Sequence, residues 1–280
     1  MREITVEAIA GLVARLCREA NTVQGPDLRA ALEKALEHEE SPAGRVCLEG
    51  LLENAVIAGA EGLPICQDTG MAVIFVDYGQ EVLVRGGSFT DAVNEGVRRG
   101  YDQGYLRRSV VQDPFDRVNT GDNTPAVIHT RIVPGDRLRI TVAPKGFGSE
   151  NMSRLAMLTP AQGLDGVKRF VVETVSLAGA NPCPPLVVGV GVGGTMEMAA
   201  LLAKQALLRD VGDLNPDPRL AALEADLLEE INGLGIGPQG LGGRCTALAV
   251  HLLTYPTHIA GLPVAVNISC HVTRHRSGEL

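Results

Sequence analysis

Apolar residues at Ile4, Ala8, Leu12 and Leu16, with Ile9 and Val13 beside them, recur at helical spacing and predict a first helix. Pro26-Asp27 opens a second helix through Leu28, Leu32 and Leu36, and Ser41-Pro42 opens a third that reaches about Gly59. After Cys66 the period changes. Residues 71–76 read as a strand, 81–85 as another, and 88–105 as a helix. Residues 126–132 and 137–143 read as strands joined by a Pro-Gly-Asp turn at 134–136. Residues 167–177, 195–209 and 218–231 read as helices, and 186–190 as a short buried strand. A glycine-rich stretch, 233–243, precedes apolar segments at 247–253 and 263–268. The sequence shows no low-complexity linker and no internal repeat. The expected fold is α/β (mixed α+β): a helical N-terminal part of about 60 residues packed on a mixed-sheet body, the whole of 1–280 forming one domain.

Composition narrows the picture. The 280 residues are 45% hydrophobic but hold only five Phe, four Tyr and no Trp, so the core must be aliphatic. Thirty-three glycines without a fixed period imply many tight turns and close backbone approaches. A net charge of −8 argues against a general nucleic-acid partner, which needs a basic face. No apolar run reaches the roughly 18 residues of a membrane span, and the N-terminus lacks a signal-peptide layout. The chain therefore reads as soluble and cytoplasmic. In that reducing compartment its six cysteines suit metal or catalytic roles better than bridges. Cys17 and Cys47, on predicted helices among apolar neighbours, read as buried core residues.

Cys66, Cys183 and Cys270 stand apart. Each lies at the edge of an apolar run, in a short stretch of turn-formers or small polar residues; Pro182, Pro184 and Pro185 stiffen the turn around Cys183. They are far apart in the chain, so spacing gives no support, and scattered buried thiols are the competing reading. Other candidates carry similar pairs of readings. Gln67 and Asp68 could donate to a carboxylate and orient a base or water, or Asp68-Thr69-Gly70 could simply be an Asx-type turn. Arg107 and Arg108 could grip a carboxylate with a two-bonded fork, or be solvated charges at a helix end. Lys145 and Gly146 lie in a loop whose backbone N–H groups could approach an anion, or that merely joins strand to helix. His258 could be a site residue or a structural histidine; His271 and His275 are four apart, but no third metal ligand suggests itself. Gly189-x-Gly191-x-x-Gly194 matches a dinucleotide fingerprint. A helix follows where that unit needs a strand with an acidic end, so the glycines are expected to serve close helix–strand packing.

Seven stretches in order resemble the alpha-type domain of the class I fumarase and L-tartrate dehydratase family: ICQDTG (65–70), YLRRSVVQDP (105–114), NTGDNTPAVIH (119–129), PKGFGSENMS (144–153), NPCPPLVVGVGVGGT (181–195), GIGPQGLGG (235–243) and THIAGLPVAVNISC (257–270). The resemblance implies a hydro-lyase with a cluster-binding cavity. There a [4Fe-4S] cluster is held by Cys66, Cys183 and Cys270, and one iron stays open for substrate. It implies Asp68 and His258 as catalytic residues, with Gln67, Arg107, Gly146 and Lys145 on the substrate. His258 would reach the site across a subunit interface, which implies a homodimer of alpha chains. Cys245, in a position that needs no ligand, reads as a passive thiol and is the main competitor for the third cysteine. The sequence after Cys270, His271-Val272-Thr273-Arg274-His275, departs from the aromatic or small residue usual there. The chain contains no Lys-Gly-Thr stretch, the source of the base in beta-type domains. A separate beta subunit is therefore the expected partner, in a heterotetramer. The expected reaction is fumarate to L-malate, as in the tricarboxylic acid cycle. The alternatives are L(+)-tartrate to oxaloacetate and, from a different class, a non-catalytic dinucleotide- or metal-binding module.

Overall fold

The computed structural model describes residues 1–280. Its backbone divides into two compact units: residues 1–24, 54–147 and 274–280 form the first, and 25–53 with 148–273 the second. The architecture is mixed α+β.

The first unit begins with a strand rather than a helix. β1 (Arg2–Thr5) pairs in parallel with β3 (Val82–Arg85). Ile4 is buried from that strand, and the helical stripe starts after it. Thr5 Oγ1 accepts the Ala8 N–H at 3.2 Å and caps α1 (Val6–Thr22), which buries Ile9, Leu12, Val13, Leu16 and Cys17. Ala8, expected on the apolar stripe, is exposed. α1 packs on α4 (Phe89–Gln103), itself capped by Ser88. Beneath them lies a four-stranded sheet of order β10-β5-β2-β4, formed by β2 (Met71–Gly79), β4 (Val127–Val133), β5 (Leu138–Lys145) and β10 (Arg276–Glu279). Leu138, Ile140 and Val142 alternate into the aliphatic core with Ile74 and Val76. The turn at 134–136 does join β4 to β5, but they are not neighbours: β2 lies between them, parallel to β4 and antiparallel to β5. The turn instead closes over the end of β2, where Gly79, Gln80 and Glu81 donate N–H bonds to Arg137, Val133 and Gly135.

The second unit is built on a sheet of order β6-β9-β7-β8: β6 (Arg154–Leu158), β7 (Leu186–Gly193), β8 (Ala247–Tyr255) and β9 (Leu262–Ser269). One face carries α6 (Gly163–Ala178) and α8 (Pro218–Asn232), whose Val171, Val175, Leu227 and Ile231 meet Val188, Val190 and Val266. α7 (Met196–Ala206) lies against β7. There a Cβ on Gly189 would fall 2.1 Å from the Ala203 carbonyl oxygen, and one on Gly191 2.1 Å from that of Ala199. The glycines of the dinucleotide-like motif are thus spent on seating this helix, as the packing reading expects. α2 (Pro26–His38) and the start of α3 (Pro42–Glu61) bury Leu28, Leu32 and Leu48. Cys17 is fully buried as expected, but Cys47 is only half buried. α3 is apolar on most sides and presents Val46, Val56 and Ile57 outward, so an apolar neighbourhood in sequence does not bury Cys47. α5 (Phe147–Glu150) is a single turn between β5 and β6.

β8 holds a buried polar group. His251 is 2% exposed, and neither ring nitrogen has a hydrogen-bond partner. It faces Gly189 across the ladder, while the neighbouring Glu224 carboxylate takes Arg209, Asn215 and the Leu252 N–H. Burial first, then the Arg209 charge, hold the imidazole pKa down to about 4.

Candidate active site

In the first unit the residues around Cys66 form a locked loop. Ile65, just before it, donates its N–H to Asn21 O at 2.9 Å, and its carbonyl accepts Asn54 Nδ2 at 2.9 Å. The carbonyls of Asp68, Thr69 and Gly70 are each answered by a side chain. Arg274 Nη2 donates to Asp68 O, the Tyr101 hydroxyl lies 2.9 Å from both Thr69 O and Gly70 O, and Asn123 Nδ2 reaches Gly70 O at 3.2 Å. Asp68 Oδ1 accepts the Gly70 N–H at 3.0 Å, which is the Asx-type turn. Its other oxygen accepts the Phe147 N–H at 2.8 Å.

That last bond draws in the Lys145-Gly146 loop. A Cβ on Gly146 would lie 3.2 Å from Asp68 Oδ2, so the glycine permits the approach. Lys145 pairs with Met71 across the β5–β2 ladder, is 7% exposed, and its Nζ donates to Gly146 O at 3.2 Å. Thr69 Oγ1 donates to Arg107 O at 3.2 Å, which fixes the backbone of the arginine pair. The two arginines then differ. Arg108 is taken by Asp102 in a 2.5 Å ion pair, while Arg107 is exposed with no carboxylate on its guanidinium. Gln67 is exposed, with its Oε1 3.6 Å from Cys66 Sγ. One unit thus gathers Gln67, Asp68, Arg107, Lys145 and Gly146 about the residue after Cys66.

In the second unit Cys183 and Cys270 share one end of the sheet. Cys183 precedes β7 and Cys270 follows β9, whose Ser269 pairs with Val187. Cys183 is exposed, with a left-handed φ of +56°. Its carbonyl oxygen lies 3.4 Å from His271 N and 3.0 Å from His271 Nδ1, and that ring nitrogen also lies 3.2 Å from Gln239 Nε2. Pro184 O accepts both the backbone N–H of Gln239 at 2.8 Å and its Nε2 at 2.7 Å.

Cys245 is held differently. Its Sγ points to Ala247 O at 3.8 Å, and burial, with the Glu39 charge, pushes its thiol up to about 12. Glu39 is 3% exposed and accepts backbone N–H bonds from Glu40, Ser41, Arg244 and Cys245. Burial works against its charge, but those four donors outweigh it and leave the carboxyl below its usual range.

His258 stands at the opposite end of this sheet, in the turn between β8 and β9. Eight-residue strands separate it from the cysteine end by roughly 25 Å. It is exposed, and its Nδ1 accepts the Ala260 N–H at 3.2 Å, which leaves the ring proton on Nε2. Beside it lies an apolar groove of about 460 Å³ lined by Leu164, Val167, Val192, Leu220 and Ile259. No group of three His, Cys, Asp or Glu side chains is assembled as a metal site. Nor does any helix run long and apolar enough to cross a membrane. Tyr101, Asn123, Arg274, Glu39 and Gln239 escaped sequence reasoning. Asn123 and Gln239 lie inside motifs quoted above, and that position was the available signal.

Comparison with known proteins agrees along the whole chain. The sequence profile of the family described as fumarate hydratase (Fumerase) matches residues 10–279. A Methanocaldococcus jannaschii protein named putative L(+)-tartrate dehydratase subunit alpha is 42% identical over 275 residues, 95% of each chain. The L(+)-tartrate dehydratase subunit alpha of Escherichia coli K12 is 34% identical over 283 aligned residues, all of this chain and 92% of that protein. With its motif residues gathered as described, this chain belongs to the fumarate hydratase (Fumerase) family.

Proposed function

We propose that this chain is the alpha-type subunit of an iron–sulfur hydro-lyase that removes water from a 2-hydroxy dicarboxylate, with L(+)-tartrate to oxaloacetate as the leading reaction. The observation that carries this reading is the gathering of Gln67, Asp68, Arg107 and Gly146 at one loop beside Cys66. Tartrate moves ahead of the fumarate–malate pair because the relatives that span the chain bear the tartrate name. The family's own description keeps fumarate hydration as the second reading.

Cys66, Cys183 and Cys270 would hold a [4Fe-4S] cluster. Three soft thiolates fit such a group. Cys183 and Cys270 share a sheet end, while the half-buried competitor Cys245 has its thiol pKa pushed up to about 12, which disfavours the thiolate. When bound, the cluster supplies an open iron as a Lewis acid. The chain's own residues do the rest. Arg107, with its guanidinium unspent, forks onto a substrate carboxylate. The Gln67 amide donates to a carboxylate or hydroxyl. Gly146 leaves room for backbone contact, and Lys145 adds positive charge beside it. Asp68, with both oxygens bound to backbone N–H groups, keeps the two loops in register and orients the group that moves the proton. His258 lies too far from Cys183 within its own chain, which supports its donation to a second copy through the apolar groove at its side. A beta-type subunit supplies the base. The "subunit alpha" in the relatives' names and the missing Lys-Gly-Thr stretch support that partner, in a heterotetramer with two alpha chains. Six free thiols suit a cytoplasmic setting.

The test is anaerobic reconstitution with iron and sulfide, alone and with a co-expressed beta-type subunit, followed by assays on tartrate, fumarate and malate. The expected result is about four irons per chain and tartrate turnover only with the partner, lost in Arg107→Met. Turnover of fumarate in place of tartrate selects the second reading. Robust turnover by the chain alone removes the partner, and no turnover of any dicarboxylate by the loaded pair removes the proposal.

A further inference from the structure

We infer that Gln239 is a positioning residue for Cys183: its amide holds, through Pro184, the strained turn that carries the thiol. The consequence for a cluster rests on the reading above; the contact itself does not.

Cys183 takes a left-handed φ of +56°, a conformation that a residue with a Cβ adopts only under constraint. Locally its own N–H donates to Ala180 O at 3.0 Å. Two distant segments add to the hold, His271 on the Cys183 carbonyl and Gln239 on the Pro184 carbonyl. Gln239 delivers two donors to a single oxygen. It too is left-handed, with φ +53°. Its neighbour Gly240 sits flat on the other end of the turn, where a Cβ would lie 2.2 Å from Ala180 Cβ.

The loop that presents Gln239 is itself fixed. Gly237 donates its N–H to Thr246 Oγ1 at 3.2 Å, Gly242 to Ile236 O at 2.9 Å, and the Glu39 carboxylate takes the N–H groups of Arg244 and Cys245. The amide is therefore aimed by the fold. A neutral amide is also the right chemistry. A carboxylate of the same size would face a carbonyl oxygen with no proton to give, and a thioether would fill the space without donating. The buried ties of the glycine-rich loop then have a purpose that packing alone does not give them: they keep the thiol's backbone ready before any metal arrives.

The experiment compares Gln239→Glu and Gln239→Met with a core control in the same unit, Leu227→Val. Amide hydrogen exchange at Cys183 and His271 is read by mass spectrometry in the cluster-free chain. After reconstitution, the EPR signal and the rate of iron loss in air are read. Both Gln239 variants are expected to speed exchange at those amides about fivefold or more, the equilibrium worth of one hydrogen bond. They should also alter the EPR signal and hasten iron loss, while Leu227→Val lowers overall stability and leaves all three readouts as in wild type. Folded Gln239 variants with unchanged exchange, or the same local change in Leu227→Val, would overturn the inference. If the wild type takes up no iron, the cluster reading fails, and the exchange data alone decide whether Gln239 holds the turn.

Discussion

The loop at Cys66 and the turn at Cys183 solve one problem in two ways. Each must hold a run of backbone carbonyls in a fixed, partly buried arrangement. At Cys66 the donors are dispersed: Tyr101 from α4, Asn123 from a loop and Arg274 from the C-terminal segment. Burial raises the Tyr101 pKa further, so its hydroxyl keeps its proton across the whole working range of pH. At Cys183 His271 holds one carbonyl, and the next is held through a relay from the Glu39 carboxylate through the glycine-rich loop to Gln239. Dispersed donors give tolerance, whereas a relay gives one residue control over a whole turn and exposes it to acid.

Iron binding separates the thiols most sharply. Cys66→Ser, Cys183→Ser and Cys270→Ser should each abolish the reconstituted cluster, while Cys245→Ser keeps it, by iron count and EPR. Loss in Cys245→Ser alone would mean that this competing thiol is a ligand.

Acid should then loosen the second unit. The His251 pKa falls from 6.5 to about 4 on folding. The stability this neutral form contributes is present above pH 6.5 and is lost as pH drops from 6.5 towards 4, by about 3 kcal/mol in all. Urea melts of wild type and His251→Leu between pH 7 and 4 should show that slope only in wild type. Glu39 adds to it at lower pH, because its lowered pKa makes its contribution present above about 4.5 and lost below. Glu39→Gln at pH 7 should cost roughly 2 kcal/mol, since several charge-assisted bonds to buried N–H groups weaken together. Glu40→Gln, which breaks only the exposed pair with Arg244, should cost under about 1 kcal/mol. The dispersed loop should lose less than the relay. Tyr101→Phe should cost about 1 kcal/mol, because Asn123 still serves Gly70 and only the Thr69 carbonyl is left without a donor. A loss from Tyr101→Phe equal to that from Glu39→Gln would erase the contrast.

Local rules carried far along this chain. The starts of α2, α4 and α8 follow from Pro26, Ser88 and Asp217-Pro218, because capping and proline geometry act within one turn. The same rules missed β1, since Ile4 satisfies a helical stripe and a strand equally well until β3 is there to pair with it. They missed β6 and β10 because each is short and finds its partner, β9 or β5, more than a hundred residues away. The Asx turn at Asp68 was legible, but the second oxygen's bond to Phe147 was not. The choice between Arg107 and Arg108 became physical only once Asp102 was seen to occupy one of them.

By itself the sequence determined the aliphatic composition of the core, the helix starts and, through long motifs, the family. These depend on residue type and on neighbours within a turn or two. Only the tertiary structure decided which cysteines share a sheet end, that the Cys245 thiol lies beside the Glu39 carboxylate and that His258 stands at the far end. It alone also decided that Glu39 and Gln239 govern the Cys183 turn. Each of those facts is a hydrogen bond, a ladder register or a burial between segments tens to hundreds of residues apart, and no local pattern encodes such a distance.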